Sequence, residues 1–206
     1  MTLISHSCEG RIYIAGAYKS LQPQGCSSKN EVDNDPHFLG GKMTWGICRF
    51  DFRNNMHEGD YVFFVLPKHN YDGFGQMIFA YMKIKEIISH KEAFFRTNLH
   101  KKRMRENARV NGNILVDENG GYNKLDDGMH YRNFEKIKGH YAIGDEIESR
   151  KLDVSEIREK GKTFVHKLER VFGESGDSVF DILGRKGRKM NSKQVQQLLA
   201  WLNDKP

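Results

Sequence analysis

The chain is poor in the residues that announce a chemistry. Its three cysteines, Cys8, Cys26 and Cys48, stand far apart and form no C-x-x-C pair. An odd and scattered set argues against a disulfide framework or a zinc ribbon and suits a reducing compartment, so a cytoplasmic location is expected. Nine histidines show neither H-x-H nor H-E-x-x-H spacing, so no metal is expected. Gly40-Gly41-Lys42 lacks the first glycine spacing and the following Ser or Thr of a phosphate-binding P-loop, and no G-x-G-x-x-G opens a helix. No cofactor is therefore expected. No stretch approaches the ~18 apolar residues of a membrane span, the first residues lack the basic start and apolar core of a secretion signal, and there is no internal repeat.

What is present suits a globular protein with an acidic partner. The 206 residues are 38% hydrophobic and 29% charged, enough for a core without covalent staples. Lys and Arg total 33 against 27 Asp and Glu, a net charge of +6. Residues 151–206 hold 12 basic and 8 acidic residues, or +4, which leaves +2 for residues 1–150. Such a balance fits a polyanion, with nucleic acid or a nucleotide as the expected partner.

The chain is organised around residues 57–89. Gly59-Asp60 reads as a turn, Tyr61–Leu66 and Met77–Ile88 as strands, and the polar residues 68–75 between them as a loop. Residues 11–18 read as a first strand, 19–41 as a long polar loop, and 44–52 as a further short strand. Ser89, with Glu92 three residues on, marks the start of a short helix whose buried face would be Ala93, Phe94 and Phe95. Ile114–Val116 reads as a small strand between turns. The tail looks helical, with a basic glycine-punctuated linker over 184–189. A last amphipathic helix carries Val195, Leu198, Leu199 and Leu202. Residues 1–150 are thus one expected domain and 151–206 a basic helical extension, with residues 191–203 a possible protein-partner surface.

Single residues suggest chemistry more weakly. Trp45 and Tyr71 sit in or beside glycine-rich loops and would serve as stacking walls of a base pocket; Gln76 and Asn113 would read a base edge. His130 and Tyr131 form a mixed polar cluster after the Asp126-Asp127-Gly128 turn. Lys101, Lys102, Arg103 and Arg105 make the strongest basic cluster, suited to phosphates, with Arg49 and Arg53 as further phosphate candidates. Catalytic residues are not assigned; an enzyme would draw on Cys48, Asp60 or His130.

The order of several segments is similar to that of the nucleotide-modification-associated domain family 2, within or near the PUA-like superfamily that includes the EVE, ASCH and YTH domains. The matching parts are Trp45–Arg49 with Arg53, Gly59-Asp60-Tyr61, residues 75–87, Phe94 with Phe95, and Asn113-Ile114. The chain departs from the family's pattern at Tyr61 for Trp, at Gln76 for a basic residue, and at Asn111-Gly112 for Gly-Asp. The resemblance covers roughly residues 11–150. It implies an α+β fold: a small PUA-like mixed β-barrel with flanking helices and a helical C-terminal extension. It also implies recognition of a modified base in DNA or RNA. A small base-modifying enzyme and a protein–protein adaptor acting through the last helix are the alternatives.

Overall fold

The computed structural model describes residues 8–15, 35–38, 42–67, 76–106, 109–126, 128 and 130–204. Nine strands follow in chain order among them: β1 (Gly10–Ile14), β2 (Thr44–Trp45), β3 (Tyr61–Val65), β4 (Ile78–Ile88), β5 (Met104–Glu106), β6 (Arg109–Asn111), β7 (Tyr141–Gly144), β8 (Arg150–Lys151) and β9 (Arg188–Met190). The β5–β6 pair stands apart, and the other strands form one mixed sheet ordered β2-β7-β4-β3-β1-β9, with β8 also on β4. β1 runs parallel to β3, and every other pairing in the sheet is antiparallel.

The aromatic and β-branched run 61–65 becomes the sheet's centre because all five of its residues are buried, on both faces. Tyr61, Phe63 and Tyr81 cluster on one face, and Phe64 meets Trp45, Tyr13 and Phe79 on the other. β4 is long enough to serve several neighbours. It pairs with β3 from Ile78 to Lys83, while its other edge takes β8 at Ala80–Tyr81 and, past an irregularity at 84–86, β7.

The expected barrel is overturned here. β2 and β9 are the two ends of the sheet and no ladder joins them, so the sheet is open. Alternating hydrophobicity specifies strands and their faces; closure further needs tilt, stagger and a pairing of the two edges, none of which a strand pattern encodes.

Seven helices are described: α1 (Phe50–Arg53), α2 (His90–Arg96), α3 (Phe134–Ile137), α4 (Val154–Gly161), α5 (Phe164–Phe172), α6 (Val179–Leu183) and α7 (Ser192–Asn203). The main hydrophobic cluster runs from Ile12 through β3 and β4 to Phe164, Leu168, Val195, Leu198 and Leu202, so α5 and α7 belong to the same core as the sheet. Asp153 with Glu156 and Asn191 with Gln194 form reciprocal capping boxes that start α4 and α7. Gly173, in the left-handed region, ends α5. A smaller cluster gathers Ile47, Ile88, Ala93, Ile114–Val116, Phe134, Ile137 and Tyr141.

Several local expectations shift. Residues 44–52 make only a two-residue strand before the chain turns at Arg49 (φ 52°) into α1. Phe95 points outward at 66% exposure, although Ser89 caps α2 through Glu92 N–H as expected. Ile114 and Val116 make isolated bridges and no ladder. The basic segment 184–189 ends in β9, which pairs with β1. The apolar stripe of α7 faces the core through Val195, Leu198 and Leu202, so the exposed stripe that an adaptor would use is absent from it. No helix among the described residues is long and apolar enough to cross a membrane.

Candidate functional site

The residues expected to form a base pocket separate into a buried hub and a surface. The hub starts where β2 ends. The chain leaves the sheet at Gly46 and turns into α1, which strands three successive N–H groups. Asp35 collects them: its carboxylate accepts from Gly46 N (2.7 Å), Ile47 N (3.0 Å) and Cys48 N, and also from Asn113 Nδ2 (3.2 Å). Asn113 is fully buried. Its amide donates to Thr44 O and Thr44 Oγ1, and its Oδ1 accepts from Tyr141 Oη at 2.8 Å. Both ends of the side chain are taken, so the edge-reading role expected of Asn113 is replaced by tying β2 to β7 and the 113–116 segment. Trp45 is likewise fully buried, stacked on Tyr13 at 5.7 Å, and offers no face to a base.

The cations behave the same way. Arg53 is fully buried and donates to His140 O and Cys48 O, both at 2.6 Å, under the Trp45 ring. Its planar fork satisfies carbonyls of the 46–48 turn and of His140, just before β7. Burial pulls its pKa down, while Asp35 nearby pulls it up. His90 is also fully buried: Nε2 donates to Gly46 O (2.9 Å) and Nδ1 accepts from Leu115 N (3.0 Å). That arrangement requires the neutral ring, and burial, reinforced by Arg53 and Arg103, lowers its pKa to about 3. Lys101 is 3% exposed and donates to Lys42 O; its own carbonyl accepts from Asn113 N and Ile114 N. Arg103 is 7% exposed, donates to Gly112 O and pairs with Asp126. Lys102 lies over the Phe94 ring at 4.0 Å, and Arg105 is exposed. Lys101 and Arg103, read as phosphate ligands, are therefore structural, with Arg105 left on the surface.

The remaining candidates scatter. Tyr71 lies outside the described residues, and Gln76 is partly buried with Nε2 on Leu66 O. Arg49 covers the Phe52 ring at 3.7 Å and pairs with Asp51. Tyr131 is 67% exposed. His130 Nδ1 meets both oxygens of the buried Asp126 (2.9 and 3.1 Å), which also accepts from Tyr122 Oη and Arg103. Burial raises the Asp126 pKa, but these hydrogen bonds and the Arg103 charge outweigh it and hold the carboxyl at about 2. Asp60 accepts from Glu9 N and His57 N and so fixes the 57–60 turn. It lines a cleft of about 600 Å³ with Cys8, Tyr61, Lys83 and Glu148, in which His130 takes no part. Burial, then the Asp35 charge, pushes the Cys48 thiol up and away from the reactive thiolate.

A groove of about 510 Å³ adjoins the hub, between β4, β7 and the end of α2. Thr44, which holds Asn113, forms part of its lining. Its charged lining is Lys42, Lys85, Arg96 and Lys101 against Glu86 and Glu146, so cations outnumber carboxylates. Thr97 and Asn98 add neutral hydrogen-bonding groups. Of its residues only Lys101 was among those expected; Lys42, Lys85 and Arg96 lie on three different segments and form no run. Asp35, the centre of the hub, carries no mark that separates it from Asp33 two residues earlier. Comparison with protein-family models, with curated proteins and with solved structures found no match.

Proposed function

We propose that this chain is a nucleotide- or nucleic-acid-binding module that recognises a base, modified or not, and that the groove lined by Lys42, Thr44, Lys85, Arg96 and Lys101 receives it. The observation that supports this reading is the groove's charge. Three accessible cations, Lys42, Lys85 and Arg96, face the carboxylates of Glu86 and Glu146 beside Thr44, Thr97 and Asn98; Lys42 pairs with Glu146 and Arg96 with Glu86, which leaves Lys85 as the cation offered to a phosphate. The likeness to the nucleotide-modification-associated domain family 2 belongs to the same proposal, as does a cytoplasmic setting, which suits the free thiols of Cys8 and Cys48. Calorimetric titration with nucleoside phosphates bearing ordinary and methylated bases tests it. Wild type is expected to bind, with affinity that depends on the base, and Lys85→Glu to weaken binding at least ~10-fold, a loss of ~1.4 kcal/mol. No binding across the panel by a folded protein, or equal binding by Lys85→Glu, rejects the groove.

A second reading, a small base-modifying enzyme, has one observation in its favour. The buried Asp126 holds His130 by Nδ1, and Nε2 makes no hydrogen bond among the described residues, as in a base and its orienting carboxylate. Turnover of a modified nucleotide that His130→Gln abolishes would establish it. Turnover unaffected by His130→Gln, or none at all, leaves binding alone.

A further inference from the structure

We propose that the open β9 edge of the sheet, with the hairpin that leads into it, is a docking surface for the phosphate backbone of a duplex nucleic acid. The surface is assembled from three separate parts of the chain. In the β1–β9 ladder Arg11 stands opposite Lys189, so both project to the same face. Arg188 is opposite Ile12, projects to the other face, and there pairs with Glu174 over the Phe172 ring. Arg49 reaches the first face from α1's start: its guanidinium donates to Lys186 O and covers Phe52, which Arg11 approaches from 5.7 Å. The turn from Gly184 to Gly187 then carries Arg185 and Lys186 outward. Both glycines have positive φ (66° and 73°). A Cβ on Gly187 would lie 2.3 Å from Ile12 O, so the turn is seated tightly on β1.

Arg11, Arg49 and Lys189 thus share one face, and the adjoining turn exposes two more cations, Arg185 and Lys186. Two carboxylates answer them, Asp51 on Arg49 and Glu9 on Lys189, for a net charge of +3 (five minus two). Arg185 and Lys186 are exposed and pair with no carboxylate among the described residues. The aromatic ring on this face is not free. Phe52 is covered by Arg49 and approached by Arg11, which removes the stacking platform that a single strand needs. What remains is charge on a flat strand edge and a projecting turn, which suits regularly spaced phosphates. The proposal extends the nucleotide reading of the groove from one unit to a duplex, but it stands on different residues.

Fluorescence anisotropy with a labelled ~20-base-pair duplex of arbitrary sequence, over a potassium chloride series, tests it. The double variant Arg185→Ala/Lys186→Ala is expected to bind more weakly, and to lower the log–log salt slope by about 2, near 0.9 per lost phosphate contact. Lys85→Glu is expected to retain most of that slope while losing mononucleotide binding, so failure of the groove and failure of the edge give different results. Three outcomes overturn the edge: a double variant with the wild-type slope, a folded wild type that does not bind duplex at low salt, or a single strand bound more tightly than the duplex. A double variant that aggregates while its monomeric fraction keeps the wild-type slope also overturns it. The charges would then serve only to guard an open strand edge.

Discussion

Two basic runs in this chain look alike as sequence and end in opposite places. In 100–105, Lys101 and Arg103 are buried, engaged with carbonyls and a carboxylate, and hold the 113–116 segment and the Asp126 cluster together. In 184–189, the pair Arg185 and Lys186 sits on an exposed turn between two left-handed glycines. The difference is not one of charge density. In the first run Lys101 reaches Lys42 O, and Arg103 reaches Gly112 O and Asp126, so both side chains are engaged by buried acceptors. The second run is an edge strand with its turn, and an edge has one side open to water. A cluster of cations therefore stays at the surface where the fold's buried carbonyls and carboxylates are satisfied by other groups.

Stability measurements would break this comparison most directly. Arg103→Ala removes one partner of a buried ion pair and leaves Asp126 partly uncompensated, so it should destabilise by about 3–5 kcal/mol. Arg185→Ala with Lys186→Ala should change stability by no more than about 0.5 kcal/mol. Urea denaturation reads both, and equal losses would mean that the two runs are not distinct. Asp35→Ala comes next. It strands the three N–H groups of residues 46–48 and should lose about 2–4 kcal/mol in the same assay.

A pH series sharpens the picture of the buried hub. The neutral His90 has a folded pKa of about 3 against an ordinary 6.5, so the unfolded chain binds the extra proton first as the pH falls. Its contribution is whole above 6.5 and is lost progressively between 6.5 and about 3, reaching about 2 kcal/mol by pH 5. Asp126, depressed to about 2, adds a loss in the same direction, present above its ordinary 3.8 and withdrawn as the pH falls toward 2. Melting curves from pH 7 to 4 should show the His90 decline, and their extension to pH 2 the Asp126 one. His90→Gln should be less stable at pH 7 but flatter with pH, and a His90 imidazole, assigned by its loss in that variant, that titrates near 6.5 by NMR would contradict the buried neutral ring. A small effect of the opposite sign is expected at Tyr13, whose buried hydroxyl has no hydrogen-bond partner among the described residues. Tyr13→Phe should leave stability unchanged or raise it by less than about 1 kcal/mol.

Much of the local structure was legible. The Gly59-Asp60 turn, the strands at 61–65 and 78–88, the Ser89 cap and the apolar face of the last helix follow from periodicity and capping chemistry, which act over a few residues. The site was far less legible. Trp45, Asn113 and Arg53 carry the aromatic, amide and guanidinium groups that can bind bases and phosphates. The same groups also satisfy buried backbone, and composition does not distinguish the two uses. Asp35, which holds Asn113 and the N–H groups of residues 46–48, and His90, which bridges Gly46 O and Leu115 N, stand in no motif. The groove draws Lys42, Lys85 and Arg96 from separate segments.

The sequence by itself determined the central strands at 61–65 and 78–88, the Ser89-capped helix and the amphipathic last helix, the absence of an apolar stretch long enough for a spanning helix, and a basic balance weighted toward the tail. These depend on neighbours three or four positions away, or on simple sums. Only the tertiary structure decided that the sheet stays open, that β9 from the tail joins β1, and which cations remain at the surface. Those outcomes depend on long-range pairings, such as Arg11 with Lys189 and Asp35 with Asn113. Their free energy comes from burying and satisfying groups that are far apart in the chain.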